Sequence, residues 1–134
     1  MITKAAFLLF RENNDKKELL FARAKGMSYY VFPGGKQEAG ETIEEALQRE
    51  LREELRTQAT DVKKIGLVLG HTPDGREMEM HLYSGQLQGT PQADSEIEEI
   101  VWMTQKEVEA HKDMMTPMTL EHVLPFLKAE GILR

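Results

Sequence analysis

The feature that most constrains this chain is a run of acid on one face of a strongly patterned helix, directly after a glycine loop. Thr42-Ile43-Glu44-Glu45 has the form of a capping box, with Thr42 as N-cap and Glu45 at the third helical position. From there Ile43, Leu47, Leu51 and Leu55 recur every fourth residue, the apolar stripe of an amphipathic helix. Beside the stripe, Glu50, Glu53 and Glu54 stand at i, i+3 and i+4, so they crowd one arc of the helix surface. Like charges at this spacing destabilise an isolated helix by a few tenths of a kcal/mol per pair. Arg49 is a local partner, but one cation does not neutralise three carboxylates. A hard divalent cation does, since Mg²⁺ takes oxygen ligands from carboxylates, substrate phosphates and water. For E-x-x-E-E alone, a solvated acidic face is the plainer reading.

The rest of the chain supplies strands for that helix to pack on. Residues 5–10 and 19–22 are apolar runs flanking the turn-prone Glu12-Asn13-Asn14-Asp15, the start of a hairpin or meander. Tyr29-Tyr30-Val31-Phe32 is β-prone and stops at Pro33-Gly34-Gly35. Strand character returns at residues 64–70, at the alternating Met78, Met80 and Leu82, and at residues 97–103, with a Thr72-Pro73-Asp74-Gly75 turn between the first two. Thr104-Gln105-Lys106-Glu107 repeats the capping box. Thr116-Pro117 opens a last helix over residues 118–130, closed by Gly131, and Pro125 is expected to kink or divide it. The order β-β-β-α-β-β-β-α-α describes one mixed α+β domain over residues 1–134.

Composition narrows the chemistry. A chain of 134 residues, 40% hydrophobic and 30% charged, can build one core without staples. It has no cysteine, which removes disulfides, zinc–thiolate sites and a thiol nucleophile and suits a reducing interior, so a cytoplasmic location is expected. The N-terminal apolar run is too short to span a membrane. The net charge of −6 disfavours a broad nucleic-acid surface, which needs clustered Lys and Arg. A negative chain can still hold phosphates through a metal ion.

Read in full, the central segment is Gly35, five residues, Glu41, seven residues, then Arg49-Glu50-Leu51-Arg52-Glu53-Glu54. It resembles the Nudix box, G-x5-E-x7-R-E-U-x-E-E-x-G-U with U apolar, at every fixed position up to Glu54. Phe32-Pro33-Gly34 before it and Lys36 within it look like members acting on nucleoside triphosphates. The box's closing glycine is Arg56 here and its last apolar position is Thr57. The resemblance puts the helix exit in question and leaves the carboxylates intact.

The resemblance implies a Nudix fold, an α/β/α sandwich with a mixed sheet between helices and a catalytic loop–helix–loop. Glu50, Glu53 and Glu54 would bind Mg²⁺, with Mn²⁺ as the alternative ion, and a carbonyl of Gly34 or Gly35 would add a ligand. Arg49 would orient the carboxylates and Glu41 would fix the loop to the helix. The base that activates water would be Glu53 or an acid of Glu96-Ile97-Glu98-Glu99, with Glu96 favoured and Glu98 second. Lys36 and Arg23 would contact substrate phosphate. His71, His81, His111 and His122 are scattered and read as ordinary residues. Met114, Met115 and Met118 flank the turn into the last helix, where relatives border the base, and core packing is the plainer reading. Thr116-Pro117-Met118-Thr119 lacks the Asn or paired acids of relatives that select oxidised guanine.

The implied reaction is hydrolysis of a pyrophosphate bond in a nucleoside diphosphate derivative, with a nucleoside triphosphate giving monophosphate and pyrophosphate as the leading case. A nucleotide is then the partner, with neither a nucleic-acid polymer nor a membrane, and a homodimer stays open. The rival readings are a non-catalytic nucleotide sensor on the same fold and an enzyme for ADP-ribose or another nucleoside diphosphate derivative.

Overall fold

The computed structural model describes residues 1–133. The chain runs through β1 (Ile2–Phe7), β2 (Phe10–Asn13), β3 (Lys16–Ala24), β4 (Gly34–Lys36), α1 (Ile43–Leu55), β5 (Ala59–His71), β6 (Glu77–Leu87), β7 (Ile97–Thr104), α2 (Gln105–Ala110) and α3 (Leu124–Ala129). One sheet has the order β4-β1-β6-β5 and the other β2-β3-β7. Strands β1 and β6 pair in parallel while β4 and β5 pair antiparallel, so the first sheet is mixed. Leu8 N–H donates to the Tyr83 carbonyl at 2.8 Å, and Leu20 N–H to the Leu9 carbonyl at 3.1 Å, tying the sheets together.

The alternation of a strand sends successive side chains to opposite faces. Ala5, Phe7 and Leu9 therefore pack with Leu47, Leu51 and Leu55, the stripe of α1. Ala6 and Leu8 pack on the other side, with Val108, Met118, Val123 and Leu127. Helices thus cover both faces, the α+β arrangement expected of the chain. Each large side chain buried this way contributes about 1.5–3 kcal/mol.

Both capping boxes form. Thr42 Oγ1 accepts from Glu45 N–H at 3.1 Å and the Glu45 carboxylate accepts from Thr42 N–H at 2.8 Å. The Thr104–Glu107 pair repeats this at α2.

Three expectations are corrected. The run at residues 5–10 is not one strand: β1 ends at Phe7 and Phe10 already belongs to the other sheet. Residues 29–32 make only single bridges, Ala22 to Val31 and Tyr30 to Met115, because Phe32 turns inward to stack on Phe21. The strand falls on the glycines instead, where β4 pairs with β1. A Cβ at Gly34 would overlap the Ala5 carbonyl oxygen, so β4 can approach β1 this closely only with glycine there. Finally, Pro125 does not break the last helix. The turn Thr119–Val123 widens to π geometry just before it, and Leu124 N–H bonds the Thr119 carbonyl. A proline cannot donate into the ladder, and such a bulge absorbs the irregularity.

Candidate active site

Helix α1 is held to the glycine loop by one guanidinium. Arg49 Nε donates to Glu41 Oε2 at 2.7 Å and Nη2 to Glu41 Oε1 at 3.1 Å. Its Nη1 reaches Glu50 Oε1 at 2.8 Å and Glu53 Oε1 at 3.4 Å, and Nη2 bonds the Lys36 carbonyl at 3.0 Å. Glu41 in turn accepts from Glu38 N–H at 2.8 Å, which sets the loop's exit into the helix. Arg49 therefore holds Glu41 and Glu50 in place, and the Glu41 carboxyl is held below its ordinary range by that contact.

Two carboxylates close on the glycines. Glu54 Oε1 accepts from Gly34 N–H at 3.0 Å. A Cβ at Gly35 would stand 2.8 Å from either Glu50 oxygen, so the absence of a side chain is what admits the carboxylate. Burial pushes Glu54 up to about 8, and burial also raises Glu50. Glu53 is about half exposed and faces Arg49 and solvent. Among the described residues no three acidic or imidazole groups converge as a ready-made metal cage.

These donors nonetheless suit a hard divalent cation. They are all oxygen, Glu50 and Glu54 are desolvated beyond what Arg49 and Lys4 compensate, and the cradle at Gly35 leaves Glu50 pressed against the loop. Glu50, Glu53, Glu54 and the Gly34–Gly35 backbone are the groups that would hold it.

The helix exit keeps its geometry without glycine. Arg56 adopts φ 59° and ψ 29°, the left-handed conformation that the box's glycine would supply, and its N–H bonds the Arg52 carbonyl at 3.2 Å. The chain then returns to cover the helix end. Gln92 N–H bonds the Leu55 carbonyl and Asp94 N–H the Glu54 carbonyl, each at 3.0 Å. Glu96, two residues beyond Asp94, is exposed, and its carbonyl accepts from Lys25 N–H at 2.7 Å.

The acids after it are committed elsewhere. Arg23 Nη2 reaches Glu98 at 2.6 Å and Nε reaches Glu99 at 2.9 Å, while Tyr30 Oη donates to Glu99 at 2.9 Å. Arg23, read from sequence as a phosphate contact, is thus engaged by two carboxylates. Glu98, second choice as base, is tied down with it. Glu99 is held below the usual carboxylate range by Arg23 and then by Tyr30. Lys36 is exposed beside the loop.

Lys4 escaped the sequence reading. It lies on β1 directly opposite Lys36 and lines an apolar cleft next to Gly34 and Gly35, with Ala6, Phe32, Met78, Met80 and Met118. A lysine interrupting the approach to an apolar strand was the available signal.

The profile of the NUDIX domain matches residues 2–122. The chain belongs to that family. A candidate 8-oxo-dGTP diphosphatase of Bacillus subtilis (strain 168) is 33% identical over 89 residues, covering 66% of this chain and 56% of that protein. The matched stretch thus spans little more than half of that relative. Among solved structures, the ORF135 protein of E. coli superposes with a TM-score of 0.64 at 32% identity, over 80% of this chain and 76% of that one. A NUDIX hydrolase from Nitrosomonas europaea gives 0.73 at 23% identity, over 90% and 84%, a likeness of fold. No helix of the described NUDIX domain is long and apolar enough to cross a membrane.

Proposed function

We propose that this NUDIX domain hydrolyses a pyrophosphate bond in a nucleoside triphosphate, releasing monophosphate and pyrophosphate with Mg²⁺ as cofactor. The observation that carries the reading is the pair Glu50 and Glu54, desolvated against the Gly34–Gly35 loop with too little positive charge nearby. Carboxylates kept in that state are a signature of a site that takes up cations. A bound cation would supply charge neutralisation at the diphosphate and a more acidic water.

The residues supply the remainder. Arg49 fixes Glu50 and the loop, and Lys36 offers an ammonium at the loop's rim. Water adds to phosphorus, the phosphoanhydride P–O bond breaks, and the water's proton passes to a carboxylate. Glu53 and Glu96 are the acids for that step, since Glu98 and Glu99 are paired with Arg23. Retention of all three helix acids favours an enzyme over a sensor.

The test is a panel of nucleoside triphosphates, ADP-ribose, dinucleoside polyphosphates and nucleotide sugars with Mg²⁺, run on the native chain and on Glu53→Gln. Pyrophosphate release from triphosphates that collapses in the variant is expected. No turnover on any member would favour the sensor, and turnover of ADP-ribose alone would move the substrate class.

A further inference from the structure

The cleft beside the glycine loop has an uncommon composition. Its walls are apolar, and its lining contains neither carboxylate, amide nor imidazole side chains. Two of its hydroxyls are engaged with each other and with the backbone: Thr119 N–H donates to Thr116 Oγ1, and Thr116 Oγ1 donates to Thr119 Oγ1, each at 3.2 Å. One charged side chain lines it, that of Lys4. Strand alternation puts Lys4 on the face of Ala6, opposite Ala5, which packs on the α1 side. Across the parallel ladder it faces Met80, a second cleft residue.

Lys4 is half-buried, and its ammonium makes neither a hydrogen bond nor an ion pair with the described residues. Its cross-strand neighbour Lys36 carries like charge, a destabilising pairing. Glu54 and Glu50 act on it only through space, so a lysine held here without a hydrogen bond keeps its donors available.

We propose that Lys4 is a specificity-determining residue that donates to an oxo oxygen on the base of the substrate nucleotide, so that the cleft favours 4-oxo and 6-oxo bases over their amino counterparts. This rests on the nucleotide reading of the site given above. The chemistry follows from the lining. An exocyclic amine brought to Lys4 meets a second donor, and the cleft lining offers no carboxylate, amide or imidazole to accept from it, whereas a carbonyl oxygen meets a charged donor. A site that hydrogen-bonds a substrate group discriminates strongly against an analogue that cannot answer it.

The test compares UTP with CTP and ITP with ATP, pairs that exchange oxo for amino and, at the adjacent ring nitrogen, N–H for a bare acceptor, in the native chain, Lys4→Met and Lys36→Met. The native chain is expected to prefer the oxo member of each pair by about tenfold or more in kcat/KM. Lys4→Met, which keeps the volume of the side chain, is expected to collapse both ratios toward one, mainly through KM. Lys36→Met is expected to lower all four substrates together. Equal losses on all four in Lys4→Met would show a phosphate contact and overturn the proposal, as would native ratios near one.

Calorimetric binding of UMP and CMP, with circular dichroism to confirm the fold, needs no turnover. An oxo preference in binding without any hydrolysis would sink the enzymatic reading and keep this one. Hydrolysis without an oxo preference would do the reverse.

Discussion

Two arginine-centred acid clusters occur in this fold, and they differ in charge balance. Around Arg23, two carboxylates and a phenol converge on a guanidinium that also bonds the Met27 carbonyl. The result is compensated, and Glu99 stays below its ordinary range. Around Arg49, four glutamates, Glu38, Glu41, Glu50 and Glu53, draw on one guanidinium, while Glu54 lies outside its reach and accepts a backbone N–H. There burial pushes Glu54 up to about 8 and raises Glu50. In sequence both are short glutamate-rich runs. Desolvated acid left short of positive charge, rather than acid as such, is what distinguishes the cluster proposed as the site from the compensated one.

The comparison breaks most visibly in activity. Glu54→Gln is expected to lower the Mg²⁺-dependent rate by about 100-fold or more, the scale of losing a group that places the reacting charges. Glu98→Gln is expected to cost no more than about threefold. Steady-state pyrophosphate release measures both, and equal losses would erase the distinction. Next come the arginines themselves. Arg49→Met frees Glu41 and Glu50 together and should reduce the rate by about 10–100-fold, the range for groups that orient metal ligands. Arg23→Met removes two partly exposed ion pairs and should lower stability slightly with little change in rate. Urea unfolding beside kinetics separates the two outcomes.

Acid and base also act on the clusters in different pH windows. Between the ordinary value of 4.5 and about 8, the unfolded chain ionises Glu54 while the folded chain keeps it protonated. Stability of the metal-free protein should therefore fall as pH rises through that window, by up to about 1.4 kcal/mol for each unit of pH, and Glu50 adds in the same direction. Glu99 and Glu41 have the opposite sign: their contribution is present above 4.5 and is lost as pH falls below it. Thermal melts from pH 5 to 8 should drop in the native chain, flatten in Glu54→Gln, and flatten again with Mg²⁺ added. A flat native profile in chelator would contradict the desolvated pair.

How much of this was legible beforehand follows from what each residue's role depends on. Helix α1, its cap and its buried stripe were readable because they are set by spacing within one segment, whereas the roles of Arg49 and Glu41 came from the resemblance to the Nudix box. Residues 29–32 were misread because β-propensity is overridden where Phe32 finds a tertiary partner in Phe21. The pairing of Arg23 with Glu98 was not readable, because no local rule reveals a partner 75 residues away. Lys4 was invisible for the same reason: its significance comes from the cross-strand Lys36 and from a cleft assembled by distant methionines and threonines.

The smallest effect concerns the end of α1, where sequence left the exit open. Arg56 holds φ 59°, a region that glycine enters without steric cost and other residues enter at roughly 1 kcal/mol. Against that strain stands its ion pair with Asp94, 3.3 Å long and well exposed on both sides, worth little in water. Strain outweighs the pair, so Arg56→Gly should stabilise the protein by about 0.5 kcal/mol, a rise of a few degrees in Tm. The rate should stay within about twofold, because the Asp94 and Gln92 amides already cap the carbonyls of Glu54 and Leu55. A loss of stability, with a slower rate, would mean that the Arg56–Asp94 contact holds the Glu96 loop against the helix. The two clusters would then be coupled through that loop rather than independent.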